Sequence, residues 1–246
     1  MNRCRKPSRS HDRNLWRQRH NSDSNRRSYG NNRYALSNIR QWLNKSGSPW
    51  YVAQHSADAT PSSGNVSYNP YDGQSGFLTD FSAQMKAALL DTTLTVAKAT
   101  VDGGGSESVV DKVFLLSKQE VGLGSENSIA EGSLLALFSS DNSSRLCKPT
   151  ANAVSNSTYT SSNLSASQNW WWWLRSPYSS DSYSVRSVYS GGSGSGGDDA
   201  YSGNNGVRPA LNLSSGILVS DSADSDGAYT IVWNQAPTPP PSITVP

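Results

Sequence analysis

Cysteine is nearly missing from this chain: 246 residues hold two, Cys4 and Cys147. Cys4 falls in a stretch expected to be unfolded, so a structural disulfide is not expected. No Cys-x-x-Cys and no Cys/His cluster is present, which leaves a zinc ion without a ligand set. The three histidines (His11, His20 and His55) are far apart in sequence. No apolar run reaches the roughly 18 residues of a membrane-spanning helix. The charged N-terminus has no apolar segment behind it, so it does not read as a signal peptide. Charge is sparse at 16%, and apolar content is low at 35%. Ser, Asn, Gly and Thr fill the difference, which suits a loop-rich fold of short elements better than a helical bundle. The length suits one large domain or two small ones.

The net charge of +2 hides an asymmetry, because residues 1–45 carry twelve Lys/Arg against two Asp. A basic arm can bind nucleic acid or an anionic surface. This one has no nucleic-acid motif, and Trp16 is its only aromatic before Tyr29, so no nucleic-acid partner is expected. Residues 1–20 have no apolar periodicity and are expected to be disordered, as a truncated or misread start would be.

Further along, Ser37 reads as an N-cap with Ile39, Trp42 and Leu43 on one buried face of a helix ending near Asn44. The aromatics of loop 48–76 (Trp50, Tyr51, Tyr68 and Tyr71) suggest that it folds over the core. Ser82 caps a second helix, with Met85, Ala88 and Leu89 facing inward and Phe81 as a staple. Thr92–Val101 and Val109–Leu116 read as strands around the turn Asp102–Gly105. Ser117 and Glu120 form a capping box that predicts a third short helix. Residues 134–138 are open between strand and helix. Residues 139–169 read as loop, anchored by Leu146 and Val154. Strands are expected at Val207–Leu213, Ile217–Val219 and Tyr229–Trp233. The end from 235 reads as a Pro-rich linker to a further domain.

The chain is organised around residues 169–213. Four tryptophans, Trp170–Trp173, lead into Leu174-Arg175-Ser176-Pro177, and Gly206-Val207-Arg208-Pro209-Ala210-Leu211 closes the stretch. Between them, 25 of the 29 residues from Tyr178 to Gly206 are Ser, Gly, Tyr, Asp or Asn. Tyr supplies contact area at low entropic cost, and the small polar residues supply adaptable hydrogen bonds, as in antibody loops. A flexible linker is the plainer alternative, but it needs no tyrosines. On a strand, neighbouring tryptophans face opposite sides. Trp171 and Trp173 are expected to be buried, with Trp170 and Trp172 facing another layer or a ligand. Arg175 and Arg208 are expected to brace the intervening loop through carboxylates or backbone carbonyls. A role for them as an anion site is the alternative.

No constellation for chemistry stands out. Cys147 has no evident base, and His55 is alone. Asp221, Asp224 and Asp226 resemble half a calcium loop without its closing Glu, and a solvated turn is the simpler reading.

The motifs Ser28-Tyr-Gly-Asn-Asn-Arg-Tyr34, Ser37-Asn-Ile-Arg-Gln-Trp-Leu-Asn44, Trp-Trp-Leu-Arg-Ser-Pro177 and Gly-Val-Arg-Pro-Ala-Leu211 resemble a bacterial and phage domain family of unknown function, the one numbered 6273. The resemblance runs from about residue 21 to about 234. More distantly, Phe114-Leu-Leu-Ser-x-x-Glu120, the Trp-rich strand and Gly-Val-Arg208 resemble the C-type-lectin-like fold of formylglycine-generating-enzyme relatives. That likeness implies an α+β fold: a small twisted, mostly antiparallel sheet, two or three short helices, and long loops carrying the ligand site. The oxidase chemistry does not carry over, because the cysteine pair and the iron-binding histidine sets of that group have no counterpart here. The same fold serves phage receptor-binding and bacterial surface proteins diversified by retroelements, and 178–205 resembles such a variable region.

The resulting expectation is a non-enzymatic recognition module, 21–234, of a surface-exposed or virion-attached protein. It needs no cofactor and no metal, does not insert in a membrane, and binds a cell-surface glycan or protein. Tyr178, Asp181, Tyr183, Tyr189, Asp198, Asp199, Tyr201 and Asn204 are expected at the ligand, on a platform of Trp171, Trp173, Arg175 and Arg208. A spacer domain without a ligand, and an enzyme centred on His55 or Cys147, are the rival classes.

Overall fold

The computed structural model describes residues 23–58, 60–62, 68–225 and 227–233. The expectations for 1–20 and 235–246 lie outside them. The fold is α+β. Its helices are α1 (Asp23–Tyr29), α2 (Asn38–Leu43), α3 (Ala83–Ala88) and α4 (Ala151–Ser155), with 3₁₀ turns at Tyr34–Leu36, Thr100–Asp102 and Asn142–Arg145. The strands are β1 (Thr92–Ala97), β2 (Ser106–Asp111), β3 (Val113–Leu115), β4 (Trp172–Pro177), β5 (Ser184–Val188), β6 (Asp198–Asp199), β7 (Pro209–Leu211), β8 (Leu218–Val219) and β9 (Ile231–Val232). Among the described residues they pair as four small antiparallel ladders, β1-β2, β3-β7, β4-β5-β6 and β8-β9. No helix among the described residues is long and apolar enough to cross a membrane.

Local signals hold well. Ser37 accepts from the Arg40 amide and Ser82 from the Met85 amide, each closing a helix start. Leu43, Ala88 and Leu89 are buried, and Ile39, Trp42, Met85 and Phe81 pack against the core. The loop after α2 folds inward as expected: Trp50 is buried and stacks on Tyr71 at 5.3 Å.

Four expectations fail for tertiary reasons. The strand read over 109–116 is two strands. Asn44, the C-cap of α2, accepts from the Lys112 and Val113 amides at 2.8 and 3.1 Å and donates to the Val113 carbonyl. Its amide takes the backbone groups a continuous ladder would need, so β2 turns to β1 while β3 pairs with β7. The capping box forms, with Ser117 and Glu120 exchanging bonds of 2.9 and 3.0 Å, yet turns follow in place of a helix. Gly122 and Gly124 adopt φ of +78° and +77°, which ends helical propagation. Residues 134–138 form neither strand nor helix: a turn buries Phe138 and leaves Leu134, Leu135 and Leu137 exposed. Finally, 139–169 is not all loop, since Thr150 caps α4 within it, and its anchor is Arg145, fully buried, and not Leu146, which is exposed.

The core joins Tyr34, Leu43, Val96, Val113, Leu115, Val121, Phe138, Trp172, Leu174 and Val188, among others. A polar knot lies beside it. Arg175, 1% exposed, forks onto both oxygens of Glu120 at 2.6 and 2.9 Å. It also donates to the Leu115 and Glu131 carbonyls at 2.9 and 2.6 Å. The Glu131 carboxyl, wholly buried, accepts from the Ala97 amide and the Ser176 hydroxyl. Burial raises its pKa above the ordinary 4.5, outweighing those bonds and the nearby Arg175, which lower it. We expect Glu131→Gln to unfold at the same or higher urea concentration at pH 7. On acidification the folded wild type takes up a proton at Glu131 before the unfolded chain does. The wild type therefore gains on the variant between the raised value and 4.5. Urea titrations at several pH values check the sign, and a wild type that weakens relative to Glu131→Gln over that window would refute it.

Candidate ligand-binding cleft

The two ends of the central stretch lie side by side. The Trp173 amide donates to the Gly206 carbonyl at 2.9 Å, and the Gly206 amide to the Trp171 carbonyl at 2.8 Å. The tryptophans alternate, but in the opposite phase to the expectation. Trp170 and Trp172 are buried, with indole N–H groups bonded to the Asn204 and Arg145 carbonyls at 2.7 and 3.1 Å. Trp171 and Trp173 are half-buried. Two buried indoles each need an acceptor, and the Asn204 and Arg145 carbonyls supply them on the inner side.

The arginine brace also differs. Arg175 braces the 115–131 segment, and Arg208 lies over the rings of Trp172 and Phe138 at 4.9 and 5.3 Å, with no carboxylate partner among the described residues. The bridges to the 178–206 loop come from three residues the sequence reading passed over. Asn32, buried, donates from one side-chain amide to the Tyr178, Asp181 and Ser184 carbonyls at 2.9 to 3.1 Å. Arg145 reaches the Gly192 carbonyl at 2.7 Å. Gly192 sits at φ +84°, and a Cβ there would lie 2.0 Å from the Asn142 carbonyl oxygen, so only glycine fits. Arg186 forks onto Glu126 at 2.8 and 2.9 Å and caps the Tyr178 ring at 4.6 Å. Burial raises the Glu126 pKa, but Arg186 and Lys118 outweigh it and hold the carboxyl below its ordinary value. Asn32 stands within the Ser28–Tyr34 motif, but the motif does not show what its side chain reaches. A long-range role for Asn32 or Arg145 has no local pattern.

The loop is therefore well ordered. Asp181 accepts from the Tyr183 and Ser184 amides and the Ser184 hydroxyl at 2.6 to 2.9 Å, which makes it a turn former. Asp198 accepts from the Ser187 hydroxyl and from Asn205. Tyr178 lies half-buried under Arg186, and Tyr189 is exposed beside Trp171. Tyr183 and Tyr201 gather around Tyr29 at 5.2 and 6.0 Å. The phenols of both are raised, first by burial and then by nearby aspartates, Asp199 among them.

A cleft of about 1400 Å³ opens along the return of this loop, larger than the roughly 300–1,000 Å³ of a small-molecule site. Tyr201, Asn204, Trp173 and Arg175 line it, as do Trp42, Tyr68 and Asn69. Tyr178, Asp181, Tyr183, Tyr189, Asp198, Asp199, Trp171 and Arg208 lie away from it. Neither His55 nor Cys147 is on its walls. Asn69 ties the walls together. Its side chain donates to the Gly203 carbonyl at 2.7 Å and the Ser157 hydroxyl at 3.1 Å, and accepts from the Thr158 amide at 2.6 Å. Asp224 in the 221–227 segment accepts from the Ala228 amide, the bond of an ordinary turn. No group of three or more His, Cys, Asp or Glu placed to hold a metal occurs among the described residues.

These features define a loop-rich α+β domain with a tryptophan-walled cleft between its first helices and the return of a Ser/Gly/Tyr loop. The family model for a domain of unknown function, DUF6273, matches residues 12–215, and the chain belongs to that family. The matched span opens at 12 rather than near 21 and closes at 215 rather than near 234. Comparison with curated proteins gives no match, and comparison with solved structures gives none either.

Proposed function

We propose that this chain is a non-enzymatic ligand-recognition module, C-type-lectin-like in architecture, carried on a surface-exposed or virion-attached protein. It takes a cell-surface glycan or protein as its ligand. The observation that supports this most is the Trp173–Gly206 pairing. It clamps a Tyr- and Ser-rich loop at both ends and turns its return, 200–207, onto a large cleft. Ligand sites are concave, mostly apolar and set with a few polar groups, and loops on a rigid frame carry recognition. Were the region diversified between copies, Asp181 and Asp198 should be its fixed positions, because their carboxylates hold the loop's own backbone and hydroxyls.

The test is a double change, Tyr189→Ala with Tyr201→Ala, assayed on arrays of cell-surface glycans and of displayed surface proteins. Both rings are partly exposed, so each truncation should cost about 1 kcal/mol, or about 2–4 °C in melting temperature for a domain of this size. The wild type should retain a ligand, and the double variant should lose it. A melting temperature lowered far beyond that range would reassign both rings to the core. One observation favours a second reading, a spacer domain: the loop's hydrogen bonds are largely internal. A spacer retains nothing on either array.

A further inference from the structure

We infer that the cleft takes a neutral oligosaccharide, several sugar units long, bound through Tyr68, Trp173 and Asn204; this rests on the recognition reading above. The first support is unspent hydrogen-bonding capacity. Four indole N–H groups, those of Trp42, Trp50, Trp170 and Trp172, donate to backbone carbonyls. Trp173, half-buried on the cleft wall, has no hydrogen-bond partner for its indole among the described residues. The Asn204 side-chain amide and the Ser202 hydroxyl on the same wall have no hydrogen-bond partner among the described residues either; the Asn204 backbone carbonyl accepts from Trp170. A donor, an amide offering both donor and acceptor, and a hydroxyl are what a polyol satisfies.

The second support is strain. Tyr68 and Asn69 hold consecutive φ of +55° and +48°, a region non-glycine residues rarely enter. Asn69 is locked there by its clasp on residues 157, 158 and 203. The outcome is a Tyr68 ring 46% exposed on the cleft, edge-on to Tyr159 at 4.8 Å. Strain kept at a cleft mouth to present an aromatic ring is a feature of ligand clamps. An aromatic face is electron-rich and complements the C–H face of a pyranose.

The third support is charge. Only Arg27, Asp58, Asp80 and Arg175 among the lining residues are charged, and Arg175 is neutralised by Glu120. No cationic cluster awaits an anionic polymer. The cleft's size, beyond one small ligand, calls for a chain of units.

The experiment titrates the full chain with maltohexaose, cellohexaose, chitohexaose and mannohexaose, following the Trp173 indole N–H resonance, assigned with Trp173→Phe. A pool of short uncharged peptides is the parallel arm. At least one oligosaccharide should shift that resonance. Its affinity should fall about tenfold in Asn204→Ala and in Tyr68→Ala, the worth of one lost contact of about 1.4 kcal/mol. The melting temperature of Asn204→Ala should stay close to wild type, since its side chain bonds nothing among the described residues, and Tyr68→Ala, which gives up the ring contact with Tyr159, should lower it by about 2–4 °C. Oligosaccharide binding unchanged in both variants overturns the inference. If peptides shift the resonance and oligosaccharides do not, the carbohydrate inference falls and the recognition reading stands. If neither shifts it, the carbohydrate inference falls, and retention on the glycan and protein arrays decides the recognition reading.

Discussion

Arg175→Met should destabilise this domain by about 3–5 kcal/mol, the cost of stripping one partner from a buried ion pair. Methionine keeps the stem of arginine, so the loss is mainly electrostatic, with a smaller part from the space the guanidinium leaves. With Arg175 gone, the Glu120 carboxylate keeps its bond from the Ser117 amide but loses both charged contacts; the Leu115 carbonyl loses the guanidinium, and the Glu131 carbonyl is left with the Ser117 hydroxyl. Lysine should not rescue, since one ammonium cannot reproduce a planar fork that reaches a carboxylate and two carbonyls at once. Adding Glu120→Gln to Arg175→Met should recover part of the loss by removing the orphaned charge. Urea denaturation of the three variants checks this. A cost near 1 kcal/mol for Arg175→Met would mean that water reaches the site and that the knot is peripheral.

The second large effect is expected from Arg145→Met, at about 3 kcal/mol, from several buried carbonyls each losing a charged donor. Arg145 has no carboxylate partner among the described residues. Its guanidinium is held by the Gly192, Val121, Ser139 and Ser140 carbonyls and the Asn142 side chain, at 2.6 to 3.4 Å. Its own carbonyl receives the Trp172 indole. Losing it frees the tip of the 178–206 loop from the 139–145 turn. Amide hydrogen exchange should then accelerate around 189–195 well before the β1-β2 hairpin responds. Uniform acceleration across the chain would show instead that Arg145 supports the whole core and not the loop tip.

Both arginines illustrate how local and non-local information divide. Helix starts at Ser37 and Ser82 were legible because a cap is a contact over three residues. The β1 strand was legible from period-two burial of Leu94 and Val96. The Ser117–Glu120 box formed as read and yet opened no helix, because two glycines and a distant Arg175 shaped what followed. The tryptophan run shows the same limit more sharply. Alternation follows from strand geometry, but which pair turns inward depended on acceptors at residues 145 and 204, which no window around 170–173 contains. For the cleft, the Tyr201 and Asn204 side of the loop was legible from composition. Tyr68, Asn69 and Asn32 were not, since their roles rest on contacts spanning 88 to 152 positions.

By itself the sequence determined the family, the α+β class and the helix caps. These rest on short-range hydrogen bonding and on motif order. Tertiary structure alone decided the strand break at Lys112, the phase of the tryptophans, and which side chains on the cleft keep a free donor. Each of those depends on where a buried polar group finds its partner, and in a chain this rich in Ser, Asn and Gly that partner is usually far away along the backbone.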